Sequence, residues 1–210
     1  MGTGRVTPTS PLSRTVHAPP GIPVHAERRI PGEPGVWILL FGDMLVFGVF
    51  FATFMYQRGQ QPDLFDATRR TLNVGIGLTN TLILLTSSLL VVTAIRAIRV
   101  SMRRAAQVLL VAALGCGLAF ASLKVLEYTD LVARGHVPTQ NTFYLYYFIL
   151  TGLHLFHVTI GIIVLALLLT QTRSSQLSAG RVALVEGGAC FWHLVDLLWI
   201  VLFPLLYLVS

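Results

Sequence analysis

Residues 188–204 are apolar enough to cross a bilayer, yet they contain an imidazole and a carboxylate at His193 and Asp196. A spacing of three residues places both side chains on one face of a helix. A charged group inside a membrane is costly, so such residues usually face a bundle interior and have a partner there. The pattern Trp-His-x-x-Asp-x-x-Trp, from Trp192 to Trp199, therefore predicts a buried polar site.

Two other apolar stretches also contain polar residues. The stretch of residues 143–170 contains two histidines, and the stretch of residues 36–56 contains one aspartate. His154 and His157 are three residues apart and share a helix face. Asp43 lies roughly 10 Å from the start of its stretch at a helical rise of about 1.5 Å per residue. This depth matches His193 best, then Asp196, then His157. We predict that Asp43 belongs to the same buried network as His157, His193 or both, because an isolated carboxylate there would be expensive.

The apolar stretch of residues 106–128 ends with a lysine and a glutamate that are three residues apart. The spacing lets Lys124 and Glu127 pair near the membrane surface, and Lys124 could also extend its ammonium group to the interface. The apolar stretch of residues 73–95 carries a stripe of small and polar residues that recur every seven positions, which favours close helix contact in lipid. The stripe consists of Asn73, Asn80, Ser87 and Ala94.

Two kinds of site fit these polar residues. Three imidazoles and a carboxylate could ligate zinc, copper or iron. However, His157 lies roughly 20 Å and His193 roughly 10 Å from the predicted cytoplasmic ends of their stretches, so the two imidazoles lie at different depths in the membrane. A hydrogen-bonded network that locks the helices together suits the residues better, because a neutral imidazole has one donor and one acceptor. We expect no catalytic residue, haem or metal ligand in this chain; proton handling and lipid head-group binding are further alternatives.

The composition requires a membrane protein. The chain has 210 residues, of which 54% are hydrophobic and 11% charged, and its mean hydropathy is +0.73. Five stretches approach the roughly 20 apolar residues that a membrane-spanning helix needs: residues 36–56, 73–95, 106–128, 143–170 and 186–209. We predict an all-α bundle of five transmembrane helices over residues 36–210. Residues 1–35, rich in Pro, Gly, Ser and Thr, are predicted to form a disordered cytoplasmic tail.

The basic residues indicate membrane orientation and not binding to nucleic acid. The net charge is +6, and 14 of the 15 basic residues are arginines, most of which flank the spans. With the N-terminus inside, ten arginines lie on the cytoplasmic side and four outside, as the positive-inside rule requires. We therefore expect a multi-pass protein of the bacterial inner membrane, with its N-terminus in the cytoplasm.

Four segments resemble subunit III of haem-copper oxidases, in addition to the Trp-His-x-x-Asp-x-x-Trp helix. The resemblance covers about residues 31–209. Asp43 stands where many members carry Glu, ahead of a phenylalanine-rich run. The other three segments are Asn-Thr-x-x-Leu-Leu-Thr-Ser at residues 80–87, Glu127-Tyr128, and Gly152-x-His154-x-x-His157-Val158-x-x-Gly161.

The resemblance implies a subunit without haem or copper of its own. It would pack beside the catalytic subunit I, with subunit II, in a complex whose partner holds the redox metals. It would also hold phospholipid and support proton uptake during aerobic electron transport. The polar residues that it would use are Asp43, Glu127, His154, His157, His193 and Asp196.

The best-known members have seven helices, and the five spans here match the last five. The chain thus resembles a short bacterial branch that includes oxidase subunits and relatives associated with nitric oxide reductase. The segment Pro31-Gly-Glu-Pro-Gly-Val-Trp37 and the dipeptide Gly42-Asp43 lean toward the second group. A stand-alone transporter is less favoured, because only Pro204 interrupts a span and no repeat is evident.

The orientation can be tested by cysteine labelling. On intact cells, a membrane-impermeant thiol reagent should modify Ser210→Cys and spare Ser101→Cys. The unsubstituted chain measures the background from Cys116 and Cys190, which lie in predicted spans. The reverse labelling pattern would contradict the orientation.

Overall fold

The computed structural model describes Gly2, residues 34–172 and residues 179–209. The predicted tail of residues 1–35 therefore lies almost entirely outside the described residues. Within the described ranges the chain is helical and contains no strand. Its helices are α1 (Pro34–Gln60), α2 (Pro62–Arg69), α3 (Val74–Arg99), α4 (Arg103–Ala133), α5 (Thr142–Gln171) and α6 (Ala179–Phe203), followed by a π-helical turn (Pro204–Leu208).

The predicted five-helix membrane bundle is confirmed. Among the described residues, five helices are long and apolar enough to cross a bilayer, with mean hydropathies of 2.0 to 2.3. They cover Trp37–Gln60, Val74–Arg99, Arg103–Ala133, Thr142–Gln171 and Gly187–Leu208. Each overlaps one of the stretches predicted from hydropathy.

Helix α2 lies in a segment that the sequence analysis treats as a loop. It begins with Pro62, whose fixed φ suits the first helical position. Its Phe65 side chain is buried against Phe54 of α1 and Phe143 of α5, with ring centroids 5.3 and 5.5 Å away. At eight residues α2 is too short to span a membrane, so a search for long apolar stretches cannot detect it.

Helices α3, α4, α5 and α6 form a closed square, in which each helix packs against the next and α6 returns to α3. Helix α1 packs outside the square, against α5 and α6. Consequently α6 is the most buried span and α1 the least buried. The polar residues of α6 are thus placed in the interior of the bundle.

The small and polar stripe of α3 faces the bundle interior as predicted, except at its first member. Asn80, Ser87 and Ala94 are fully buried, and the Ser87 hydroxyl donates to the Ala113 carbonyl of α4 at 3.1 Å. Asn73 instead caps α3, because its side-chain oxygen accepts from the backbone N–H groups at residues 75 and 76. The short side chains let α3 and α4 approach closely.

Trp192 of α6 needs glycine on both neighbouring helices. A Cβ atom at Gly161 of α5 would lie 2.6 Å from the indole, and one at Gly117 of α4 would lie 2.9 Å from it. Real Cβ atoms do not approach so closely. The indole therefore occupies space that only the absence of a side chain on α4 and α5 leaves open.

The C-terminal turn departs from α-helical geometry at Pro204, which has no N–H to donate. Residues 204–208 form a π-helical turn that buries Leu206 and Tyr207. The guanidinium of Arg69, at the end of α2, donates to the Leu208 carbonyl at 2.9 Å. Such π-helical segments occur frequently at functional sites.

Two glycines on α4 provide a matched test of this packing. Gly117→Ala should lower the free energy of unfolding by about 1–3 kcal/mol, the usual cost of overpacking a core, because its Cβ would meet Trp192 and Ile162. Gly115→Ala should be neutral or slightly stabilising, because nothing lies within 4 Å of its Cβ. Thermal unfolding of both variants in the same detergent provides the comparison. Equal stabilities would contradict the packing assigned to Trp192.

Candidate functional site

The only lysine of the sequence is fully buried in the membrane-spanning part of the bundle. The Lys124 ammonium donates to Glu127 Oε2 at 2.8 Å, to the Tyr207 hydroxyl at 3.0 Å and to the Tyr147 hydroxyl at 3.2 Å. An ammonium group has three protons, so its donors are all used. Glu127 receives a second bond, 2.6 Å long, from the Tyr207 hydroxyl to Oε1. We call Lys124, Glu127, Tyr147 and Tyr207 the lysine cluster.

Aromatic rings surround the ammonium group of this cluster. The Lys124 Nζ atom lies 4.9 Å from the centroid of the Trp199 ring and 5.2 to 5.8 Å from those of Tyr147, Tyr207 and Tyr128. The negative faces of such rings attract a cation. The alternative that Lys124 extends toward the membrane surface is therefore wrong, because its side chain is held inside by an anion, two hydroxyl groups and these rings.

Glu127 also forms part of the wall of a polar cleft of about 480 Å³. The cleft lies at the end of the bundle that carries α2, between the start of α3 and the end of α4. Its other charged lining residues, Asp130 and Arg134, form an exposed ion pair at 2.9 Å. Glu127 itself is only 5% exposed, so it separates the cleft from the buried ammonium.

Asp43 contacts one of the two histidines named for it. Its Oδ2 lies 3.3 Å from Nε2 of His157, which joins α1 to α5. The His157 Nδ1 atom is 2.8 Å from the Leu153 carbonyl, so it carries the proton that this bond needs. The structure shows no hydrogen bond between Asp43 and His193, although their predicted depths agree best.

His193 and Asp196 lie one turn apart on α6, as predicted, and a residue of α3 contacts His193. The Ser88 hydroxyl forms a 2.6 Å hydrogen bond with His193 Nδ1. Asp196 is 3% exposed, and neither of its oxygens has a hydrogen-bond partner among the described residues. His193 is half-buried and borders an apolar groove between α1 and α6.

His154 lies in an aromatic environment. It is fully buried, and neither ring nitrogen has a hydrogen-bond partner in the described part of the chain. Its ring lies 5.2 Å from Trp199 and 5.6 Å from Phe120. Trp199 in turn donates from Nε1 to Thr81 Oγ1 at 3.0 Å, so its indole contacts α3, α4 and α5. This tryptophan is the central contact of the helix square.

The predicted residues therefore do not form one continuous hydrogen-bonded network. They divide into the lysine cluster, the Asp43–His157 pair and the group around Ser88, while His154 is enclosed by aromatic rings. The prediction did not include Ser88, Tyr147 or Thr81. Hydroxyl residues are common in membrane helices, so no sequence signal separates these members from the rest.

The donor groups do not converge as a metal site would require. Across residues 34–172 and 179–209, no three His, Cys, Asp or Glu side chains come close enough to hold a metal ion together. His154, His157 and His193 each have different surroundings, as described above. The contacts that the described side chains make join neighbouring helices.

Comparison with known proteins agrees with this geometry. The sequence pattern of cytochrome c oxidase subunit III matches residues 32–210, which include every helix described above. The chain belongs to the cytochrome c oxidase subunit III family. It is 27% identical over 204 residues to cytochrome c oxidase subunit 3 of Alkalihalophilus pseudofirmus, covering 95% of this chain and 98% of that protein. It is 26% identical over 176 residues to a probable quinol oxidase subunit 3 of Staphylococcus aureus, covering 84% and 88%.

This membership confirms the resemblance found in the five motifs. The chain is a subunit III of a haem-copper oxidase and a bacterial membrane protein with five spanning helices. The alignments cover most of this chain and most of the length of each of these relatives.

Helix α4 offers a matched test of the lysine cluster. Lys124→Met should lower the free energy of unfolding by about 3–5 kcal/mol, because it leaves the Glu127 carboxylate buried without its counter-ion. Arg134→Met, which breaks the exposed pair between Asp130 of α4 and the residue that follows this helix, should have little effect. Chemical unfolding in one detergent compares the two variants. The double variant Lys124→Met/Glu127→Gln should recover part of the loss, and strict additivity would contradict the pairing.

Proposed function

We propose that the chain is a non-catalytic subunit of a haem-copper terminal oxidase, which braces the catalytic subunit, holds lipid and supports proton uptake. The observation that carries this proposal is that the membrane-embedded polar groups make contacts between helices of this chain. The lysine cluster, the Asp43–His157 pair and the Ser88–His193 bond each connect different helices. These groups stabilise the bundle, and redox metals would be held by the partner subunits I and II.

Lipid binding is supported by two grooves on the membrane-facing surface. A groove of about 280 Å³ between α1 and α6 is apolar apart from His193 at its wall. A second groove, of about 510 Å³, lies between α4 and α5 and is lined by apolar side chains with Ser122 and Thr159. Such grooves suit acyl chains, and we expect phospholipid to occupy them in the complex.

A role in proton uptake is supported by the Asp43–His157 pair. The Asp43 side chain is 22% and the His157 side chain 10% exposed, so the carboxylate reaches the surface of the isolated subunit while the imidazole is largely buried. A carboxylate and an imidazole in contact can pass a proton between them, as in the relays of other membrane proteins. With the N-terminus inside, Asp43 lies in the cytoplasmic half of α1.

The alternative partner is a nitric oxide reductase. It is favoured only by the segment before α1 and by Gly42-Asp43, whereas the relatives described above are named as oxidase subunits. Purification of the intact complex with an affinity tag on this chain, followed by haem spectra, separates the two. Oxygen reduction by the complex supports the oxidase, and nitric oxide reduction without oxygen reduction supports the reductase.

Deletion of the subunit should leave the haem spectrum of the partner intact and reduce assembly or sustained turnover. His154→Phe, His157→Phe and Asp196→Asn should likewise leave that spectrum unchanged, because these side chains contact helices of their own subunit. Absorption spectra and turnover time courses of the purified complexes measure both effects. Loss of a haem or copper signal in any single variant would show that the residue is a ligand, and the accessory role would be wrong.

A further inference from the structure

Four arginines flank the short turn that joins α3 to α4. Arg96 and Arg99 lie in the last turn of α3, and Arg103 and Arg104 begin α4. All four residues are exposed. Residues 67–126, which include all of α3 and most of α4, contain no Asp or Glu that could balance these charges. The four arginines therefore concentrate positive charge at this end of the bundle, and we call them the arginine patch.

Backbone hydrogen bonds fix the turn that carries the arginine patch. The Met102 N–H donates to the Ala97 carbonyl at 2.8 Å, and the Ser101 N–H donates to the Ile98 carbonyl at 3.0 Å. These two bonds form the Schellman motif that ends many helices, with Ser101 in the left-handed region at a φ of 62°. Packed helices lie about 8–10 Å apart, so the turn holds all four arginines within a small area.

The same turn also exposes apolar side chains. Val100 is 66% and Met102 59% exposed, and both lie between the arginines of α3 and those of α4. Apolar side chains flanked by cationic groups suit the boundary between lipid head groups and acyl chains, where each kind of group finds a matching environment. The arginine patch is therefore placed at the membrane surface.

Two members of the patch end rows of exposed apolar residues. Arg96 follows Leu89 of α3 by seven positions, and Arg104 precedes Val108 of α4 by four, so each pair shares a helix face. Leu89 and Val108 are among the most exposed apolar residues of their helices. A phospholipid whose acyl chains cover these rows has its phosphate group at the level of the two guanidinium groups.

Helix stability and membrane orientation do not account for this arrangement. Arg103 and Arg104 lie at the N-terminus of α4, where the helix dipole disfavours cations, and the first turn contains no acidic residue. The positive-inside rule favours basic residues on one side of the membrane but does not require them to be adjacent. Arg99 and Arg103 make other contacts, whereas Arg96 and Arg104 are in none of the ion pairs of the described residues.

We propose that the arginine patch binds an anionic phospholipid, with Arg96 and Arg104 contacting the phosphate group and the apolar rows contacting the acyl chains. A guanidinium group presents paired N–H donors that match phosphate oxygens. Basic segments next to membrane helices attract anionic lipid in this way. The site lies on a different surface from the two membrane-facing grooves and does not depend on the oxidase function. With the N-terminus inside, it faces the cytoplasmic leaflet.

Native mass spectrometry of the full chain in a neutral detergent tests the proposal. The probes are phosphatidylglycerol and phosphatidylcholine with the same acyl chains. The wild type should bind phosphatidylglycerol roughly tenfold more tightly or better, because each arginine at a membrane surface contributes about fivefold in affinity for anionic lipid. Arg96→Gln/Arg104→Gln should lose most of this preference. Arg58→Gln/Arg70→Gln, which removes two charges at the opposite end of the bundle, should keep it.

A third probe separates a lipid from a soluble phosphate compound. Glycerophosphoglycerol, which is the head group of phosphatidylglycerol without its acyl chains, should not bind at the concentration at which the lipid does. Binding of both with equal affinity would assign the patch to a soluble phosphate compound, and the lipid proposal would be wrong.

Three further results would overturn the proposal. They are equal affinity of the wild type for the two lipids, a preference that Arg96→Gln/Arg104→Gln retains, and an equal loss of preference in Arg58→Gln/Arg70→Gln. Should the first double variant not fold, the wild type is measured at increasing concentrations of ammonium acetate. Its preference must then decrease, because salt screens charges at an exposed site, and a preference independent of salt would contradict the role of the arginines.

Discussion

Burial of one ammonium group in the membrane-spanning region governs the architecture of half this bundle. Lys124 has no contact with solvent, so its charge must be balanced by groups of the chain itself. Its partners come from α4, α5 and the C-terminal turn, which fixes the rotation of each about its axis. The π-helical turn after Pro204 belongs to this arrangement, because it holds Tyr207 where its hydroxyl reaches both Lys124 and Glu127.

Aromatic side chains of α6 fill the bundle interior next to the lysine cluster. Trp199 contacts Lys124, His154 and Thr81, and so links three helices around the fourth. Trp192 fills the next layer, where glycines on α4 and α5 leave room for its ring. Lipid supplies no hydrophobic force between helices, so close packing and polar contacts must hold them together. Both occur on α6, which explains why this helix carries the most specific sequence motif.

Features that depend on local composition could be predicted from the sequence. Features that depend on how each helix is rotated about its axis, and on which helices are neighbours, could not. Hydropathy was sufficient to predict the five membrane spans, and a spacing of three residues was sufficient to predict the Lys124–Glu127 pair. Depth along the helices favoured His193 as the partner of Asp43, but the structure pairs Asp43 with His157. Depth specifies only how far a residue lies along the bundle, whereas contact also requires the right face of a neighbouring helix. Tyr147 and Ser88 were missed for the same reason, whereas helix α2 was missed because its eight residues are too few for a search for long apolar stretches to detect.

The buried polar groups of the bundle differ in whether they have partners. In the lysine cluster, every donor of Lys124 and both oxygens of Glu127 are engaged. Deeper in the bundle the oxygens of Asp196 and the nitrogens of His154 have no partner among the described residues, and His193 borders a groove. Buried polar groups that lack partners are costly and are tolerated where function requires them. Asp196 and His154 are such groups among the described residues, whereas the lysine cluster is fully engaged and holds α4, α5 and the C-terminal turn together.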